Sequence, residues 1–119
     1  MKIKTIEYPT SLEKITDPFN DNIDVFVETE DGYHFTMTVC TPQFYLTYME
    51  KENRDFIEAA PPDIIVKELK HEIIMRALES YCENDGYWMK LYYLAGTQEG
   101  CFSKENLDAL VQLSKSEIE

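Results

Sequence analysis

The chain has 119 residues, of which 44% are hydrophobic and 13% aromatic, so it can bury one core and is too apolar to be disordered. Eleven Lys and Arg residues oppose twenty-three Asp and Glu residues, giving a formal net charge of −12. That field would repel the phosphate backbone of DNA or RNA and argues against nucleic acid as a partner. Residues 1–119 are predicted to form a single domain.

The first predicted element is a short edge strand over residues 2–8, where apolar and polar residues alternate up to Pro9. A proline cannot donate to a sheet ladder, so the strand should end there. Residues 10–22 are polar and contain Pro18. This composition predicts a loop with one turn of helix around residues 12–15.

The strongest strand signal is a β-hairpin of residues 23–29 and 33–41, in which apolar side chains occupy alternate positions. A two-residue turn at Asp31 and Gly32 would place acids opposite the apolar face of the second strand. A three-residue loop that also includes Glu30, with Gly32 left-handed, buries six apolar side chains together. We therefore predict the second register, which pairs Val27 with Phe35, Val25 with Met37 and Ile23 with Val39.

A helix is predicted to begin after Thr41, because a capping hydroxyl is followed by Pro42 at the first helical position. Its buried face should carry the residues that recur at helical spacing: Phe44, Tyr45, Tyr48 and Met49. Two prolines at positions 61 and 62 then impose an extended path. The β-branched run at 64–66 predicts another strand beside the hairpin.

The clearest helix spans residues 70–82, where apolar residues recur every three or four positions, and the Asn-Asp-Gly sequence at 84–86 should stop it. Residues 87–94 fit both helical and strand periodicity. The cap candidate before them and Gly96 after them favour a helix. A last helix is predicted after Ser103, with its apolar stripe formed by Leu107, Leu110, Val111 and Ser114.

Together these elements predict an α+β fold, in which a small antiparallel sheet built on a central β-hairpin is packed by three to four helices. The three cysteines are odd in number and lack C-x-x-C spacing, which predicts reduced thiols and a cytoplasmic protein. The longest apolar runs are too short to span a bilayer, so no membrane contact is predicted.

The sequence predicts no catalytic residue, metal ligand or cofactor. His34 and Cys40 share a strand face, but at the rise of a strand they lie about 20 Å apart. The histidines and cysteines have none of the short spacings that chelate zinc, and no glycine-rich phosphate loop occurs. A small enzyme that uses Cys40 or His34 is the alternative.

The acids are unevenly distributed along the chain, since residues 15–50 contain seven Asp and Glu residues and no Lys or Arg. Asp24 and Glu28 share the hairpin face opposite the apolar one, while Glu30 and Asp31 crown its tip. We predict that these four residues form an anionic surface that binds a basic protein partner. The alternative is that the acids only blunt a sheet edge and keep the protein soluble.

A second candidate surface lies in residues 83–93, where four aromatic residues follow two acids. Exposed aromatic residues surrounded by acids are typical of binding hot spots. The residues predicted to contact a partner here are Glu83, Asp85, Trp88, Tyr92 and Tyr93. For Trp88 taken alone, burial in the core is the favoured expectation.

A small acidic α+β chain with the segment DGYWMKLYYLAG resembles the immunity proteins of bacterial contact-dependent inhibition and related polymorphic toxin systems. The likeness rests on size, charge and residues 64–96, and it assigns no role to single residues. It implies a non-enzymatic cytoplasmic protein that binds a cognate toxin domain, often a nuclease, and occludes its active site. A DNA mimic or a regulatory domain would share the charge signature, and the oligomeric state is left open.

Overall fold

A computed structural model describes residues 1–58, 63–97 and 100–118, with side chains described up to residue 115. Within these residues the strands are β1 (Ile3–Glu7), β2 (Asn22–Thr29), β3 (His34–Cys40) and β4 (Asp63–Ile65). The helices are α1 (Pro42–Lys51), α2 (His71–Tyr81), α3 (Glu83–Thr97) and α4 (Lys104–Ile118). Two short 3-10 turns occupy Leu12–Lys14 and Gly100–Phe102. The predicted α+β class is confirmed.

The hairpin of β2 and β3 has the predicted register. Val27 pairs with Phe35, Val25 with Met37 and Ile23 with Val39. Gly32 has a φ of +92°, and its N–H donates to the carbonyl of Thr29 at 3.1 Å, so the three-residue loop is confirmed. Glycine is required there because a side chain is strained at this φ.

The sheet order is β1-β2-β3-β4, and the sheet is mixed, not wholly antiparallel as expected, because β4 runs parallel to β3. Ile64 of β4 lies beside Val39, and the Val66 N–H donates to the Cys40 carbonyl at 2.9 Å. A parallel partner needs a crossover connection, which α1 supplies between the two strands.

One face of the sheet carries the core. Ile74 and Leu78 of α2, together with Met89 of α3, are fully buried against it. The strand residues of this core alternate along β2 and β3, and they comprise Ile23, Val25, Val27, Phe35, Met37 and Val39. Two helices therefore cover this side of the sheet. On the other side, which we call the open face, Cys40 is buried beside Tyr45 of α1, whereas Asp24, Phe26 and His34 are exposed.

Helix α1 begins as predicted, but it buries less than expected. The Thr41 hydroxyl accepts from the Phe44 N–H at 3.3 Å, which confirms the cap. The residues predicted for its buried face are only partly covered, and no residue of α1 is fully buried. The predicted face is confirmed in orientation, because these four residues are more covered than Leu46 and Glu50, but none of them is fully buried.

Helix α4 extends away from the core. The residues of its predicted stripe are exposed, and Leu110 keeps 53% of its surface in solvent. The radius of gyration is 16.8 Å, against about 13.5 Å for a compact chain of this length, and the extents are 53 × 43 × 19 Å. Among the described residues, no helix is long and apolar enough to cross a membrane.

Candidate partner-binding surface

The connection between α2 and α3 sets the direction of the third helix. Asn84, Asp85 and Gly86 all have left-handed dihedrals, with φ values of 55°, 56° and 72°. This conformation costs about 1–2 kcal/mol for each residue that has a Cβ, and Asn and Asp tolerate it best. The chain therefore reverses at the Asn-Asp-Gly sequence, as predicted, and α3 begins at a fixed angle to α2.

Gly86 is further constrained by a close approach. A Cβ at this position would lie 2.7 Å from both the Sδ and the Cε atom of Met1, whose side chain is fully covered. Only a glycine combines the left-handed φ with that contact. The amino-terminal segment thus packs onto the turn from which α3 starts.

A row of four aromatic rings flanks this turn, three of them after it on α3 and one before it on α2. Tyr87 meets Trp88 edge to face at 5.3 Å between ring centroids, and Trp88 lies 5.4 Å from Tyr92. Tyr92 in turn lies 5.5 Å from Tyr81, which α2 contributes. These separations are those of favourable aromatic pairs. We call Tyr81, Tyr87, Trp88 and Tyr92 the aromatic ladder.

Two rings of the aromatic ladder face solvent, whereas Tyr81 and Tyr92 are partly buried. Trp88 is 49% exposed and Tyr87 is 53% exposed. The expectation that Trp88 is buried is therefore wrong, because Met89, one position further around the helix, points to the core instead. The helical assignment of residues 87–94 is confirmed, but the helix is rotated so that its most aromatic stripe lies outside.

Tyr93 lies apart from the ladder. Its ring packs edge to face on Phe35 of β3, with ring centroids 5.3 Å apart, and it keeps 39% of its surface exposed. Tyr93 is four positions after Met89 and shares its side of α3. The sequence predicts Tyr93 as a partner contact, but its ring lies against the sheet and apart from the aromatic ladder.

The hairpin tip and the α2–α3 turn share one cluster of charges. The Asp85 carboxylate lies 3.8 Å from the terminal ammonium of Met1 and 3.7 Å from Lys90 Nζ. The Thr29 hydroxyl donates to Asp31 at 2.5 Å and holds the pKa of that carboxyl below its ordinary value, with Lys90 and the terminal ammonium adding to the effect. Asp31 and Asp85 therefore both lie within electrostatic range of Lys90 and of the terminal ammonium.

Glu30 and Glu83 are also exposed: Glu30 precedes Asp31 in the hairpin loop, and Glu83 precedes the turn that leads to the aromatic ladder. We call Glu30, Asp31, Glu83 and Asp85, together with the aromatic ladder, the corner surface. It combines carboxylates with half-exposed rings. Of the nine predicted contact residues, six belong to it: Glu30, Asp31, Glu83, Asp85, Trp88 and Tyr92.

Asp24 and Glu28 lie elsewhere, on the open face of the sheet. The Thr38 hydroxyl donates to Asp24 at 3.1 Å, and Lys4 Nζ from β1 lies 3.3 Å from Glu28 Oε1. Between them Phe26 is half-exposed, beside a shallow depression of about 480 Å³. Residues 15–50 contain no Lys or Arg, but in the folded chain β1 places the ammonium of Lys4 next to them. The four acids predicted as one surface fall into two groups.

The two residues of the enzyme alternative, Cys40 and His34, lie in different surroundings. Burial raises the pKa of the Cys40 thiol to about 12, and a nucleophile needs the thiolate. The Tyr45 hydroxyl, beside Cys40, donates to Asp63 at 2.9 Å and so links α1 to the start of β4. His34 is exposed on the open face. Among the described residues, no group of three or more His, Cys, Asp or Glu side chains could hold a metal ion.

Sequence reasoning missed two members of the aromatic ladder. Neither Tyr81 nor Tyr87 is among the residues that the sequence predicts to contact a partner. Tyr81 packs partly against the core, as its place on the apolar stripe of α2 predicts. The available signal was the Asn-Asp-Gly turn, because a tight reversal sets the last residues of one helix beside the first turns of the next. Comparison of the chain with protein-family models, with curated protein sequences and with solved structures finds no match to any of them.

Proposed function

We propose that this chain is a non-enzymatic acidic protein-binding module, an immunity protein that binds a cognate toxin domain and occludes its basic active-site cleft. The observation that carries the proposal is the exposure of the aromatic ladder. A half-exposed Trp88 held between two tyrosines is costly to leave in water and has the composition of an interface hot spot.

The ladder supports recognition of a cationic surface in particular. Its rings present π faces, and an Arg or Lys of the partner over such a face contributes about 0.5–2 kcal/mol. The carboxylates of the corner surface lie at one end of the ladder and favour the same cations. A partner whose active site binds a polyanion, such as a nuclease, carries suitable groups around its cleft.

The net charge of −12 acts at longer range. Opposite charges on two proteins raise the rate of encounter, and this effect falls steeply with ionic strength. Asp24 and Glu28 on the open face contribute to this field from the other side of the sheet. In the proposal the field steers the toxin, while the corner surface provides the close contacts.

The test uses the protein encoded by the neighbouring upstream reading frame, whose carboxy-terminal domain we expect to be the toxin. Co-expression should restore growth of cells that make the toxin, and calorimetry should show a direct complex. Trp88→Ala should weaken the complex at least about thirtyfold, the effect of losing a hot spot of about 2 kcal/mol. Phe26→Ala is the matched control, since it removes an aromatic residue of similar exposure, 43%, from the open face.

Two results would contradict the proposal. One is the lack of protection or of a complex with that domain. The other is an equal loss of affinity in the Trp88 and Phe26 variants, which would place the contact away from the ladder. The association rate should also fall severalfold as salt rises from about 20 to about 150 mM, where the Debye length shortens to about 8 Å.

A further inference from the structure

Strand β1 is an open edge of the sheet. It pairs only with β2, and in the described part of the chain no strand lies on its other side. A groove of about 400 Å³ runs along this edge, between β1 and the side chains of Met75 and Glu79 on α2. An open edge next to a groove has room for one more strand.

The backbone groups that face this groove can be assigned from the register. The Glu30 N–H donates to the Lys2 carbonyl at 2.9 Å, so the backbone groups of Lys2 point toward β2. Antiparallel strands alternate between residues that bond the neighbour and residues that point away. Ile3, opposite Thr29, and Ile6, opposite Val27, are therefore the residues whose N–H and C=O groups point into the groove.

A bulge makes this edge unusual. Lys4 and Thr5 together oppose Glu28, so one extra residue is inserted between the two isoleucines. Residues three apart normally lie on opposite faces of a strand, but here both isoleucines pack against the core. The side chains of Ile3 and Ile6 thus lie on the same face of the sheet, and the backbone N–H and C=O groups of both residues point away from β2.

We propose that two copies of this chain pair their β1 strands antiparallel about a two-fold axis, with Ile3 opposite Ile6 of the second copy. The axis passes between Lys4 and Thr5, and each of the two isoleucine pairs exchanges two backbone hydrogen bonds. A regular strand could not form this symmetric pair, because one isoleucine of each pair would point to the wrong face and away from the partner. The bulge removes that obstacle.

Charge complementarity selects a second copy as the occupant. In this register Lys2 stands opposite Glu7 of the second copy on the open face, and symmetry repeats the pair. Lysines commonly protect a sheet edge from pairing. Lys4 also lines the groove, but its ammonium lies 3.3 Å from Glu28 of its own sheet, which holds the charge on the open face. The charges along β1 of one copy therefore complement the charges along β1 of the other.

The contact is small, so the dimer should be weak, with a Kd on the order of 10 µM. Two molecules of charge −12 also repel one another, and salt screens that repulsion. The dimer should therefore strengthen as salt is raised, opposite to the toxin complex. The inference does not rest on the proposed function. Of the corner surface only Glu30 lines the groove, and the variants that test the pairing change no residue of the corner surface.

Sedimentation of the full chain from about 1 to about 500 µM tests the pairing. We expect a shift from 14.0 kDa toward twice that mass. Glu7→Lys should raise the Kd about tenfold by setting Lys against Lys twice. Glu13→Lys makes the same charge change at an exposed site off β1 and should not raise the Kd. The double variant Lys2→Glu with Glu7→Lys should restore the dimer.

Hydrogen exchange supplies the second measurement. The amides of Ile3 and Ile6 should exchange more slowly at the high concentration than at the low one, while the amide of Glu7, turned toward β2, should not change. A monomer at every concentration would overturn the proposal. So would a dimer in which the Glu7 and Glu13 variants have the same Kd, or one in which the Ile3 and Ile6 amides keep their rates.

Discussion

Leu78 and Leu110 are matched residues in opposite surroundings, and the difference between them can be measured. Both occupy the interior of a helix on a predicted apolar stripe. Leu78 on α2 is 0% exposed, whereas Leu110 on α4 is 53% exposed. We expect Leu78→Ala to lower the free energy of unfolding by about 2–5 kcal/mol, because the transfer free energy of the side chain is lost and a cavity remains. Leu110→Ala should change it by less than about 0.5 kcal/mol.

The assay is urea unfolding followed by circular dichroism, with thermal melts in parallel. For a chain of this length about 1 kcal/mol corresponds to about 4 °C, so Leu78→Ala should lower Tm by about 10–20 °C. Because Ala and Leu have similar helix propensities, an exposed site should show almost no effect. A loss of several kcal/mol in Leu110→Ala would refute the reasoning, since it would require α4 to pack on the core.

Three further expectations concern single groups. Gly86→Ala should destabilise the fold more than Gly100→Ala, because both positions have positive φ but only Gly86 lies against Met1; equal losses in urea unfolding would contradict the close contact. Asp31→Asn should lower the stability at pH 7, and the difference from wild type should vanish as the pH falls through the depressed pKa of Asp31, because a lowered carboxyl pKa stabilises the fold only above it. A difference that persisted in acid would exclude ionisation as the cause. Finally, a thiol reagent should modify Cys101 rapidly in the folded chain and the two buried cysteines only after unfolding, as counted by absorbance and mass; rapid modification of all three would contradict their burial.

The charge distribution shows why the candidate site was only partly predictable. The acids of residues 15–50 are unbroken by cations along the chain, and this pattern led to a single anionic surface. In space Glu28 has Lys4 beside it, while Asp31 and Asp85 share Lys90. Strand pairing and helix packing join residues that are distant in sequence, so local charge density does not describe the field at a surface.

The orientation of α3 has a similar cause. Its aromatic residues occur on every side of the helix, so the pattern does not define a unique core face. Met89 packs inward because the left-handed turn at 84–86 sets the starting angle of α3 over the sheet. Trp88 is left outside as a result. The direction of β4 was likewise decided by where the chain re-enters the sheet after α1.

What the sequence determined by itself is local. The hairpin register follows from an apolar period of two with Gly32 at the loop, and α2 follows from apolar spacings of three and four. The direction of β4, the outward rotation of Trp88, the exposure of α4 and the cations beside Glu28 and Asp31 were decided by the tertiary structure. These depend on contacts between residues far apart in the chain, whose geometry no local period encodes.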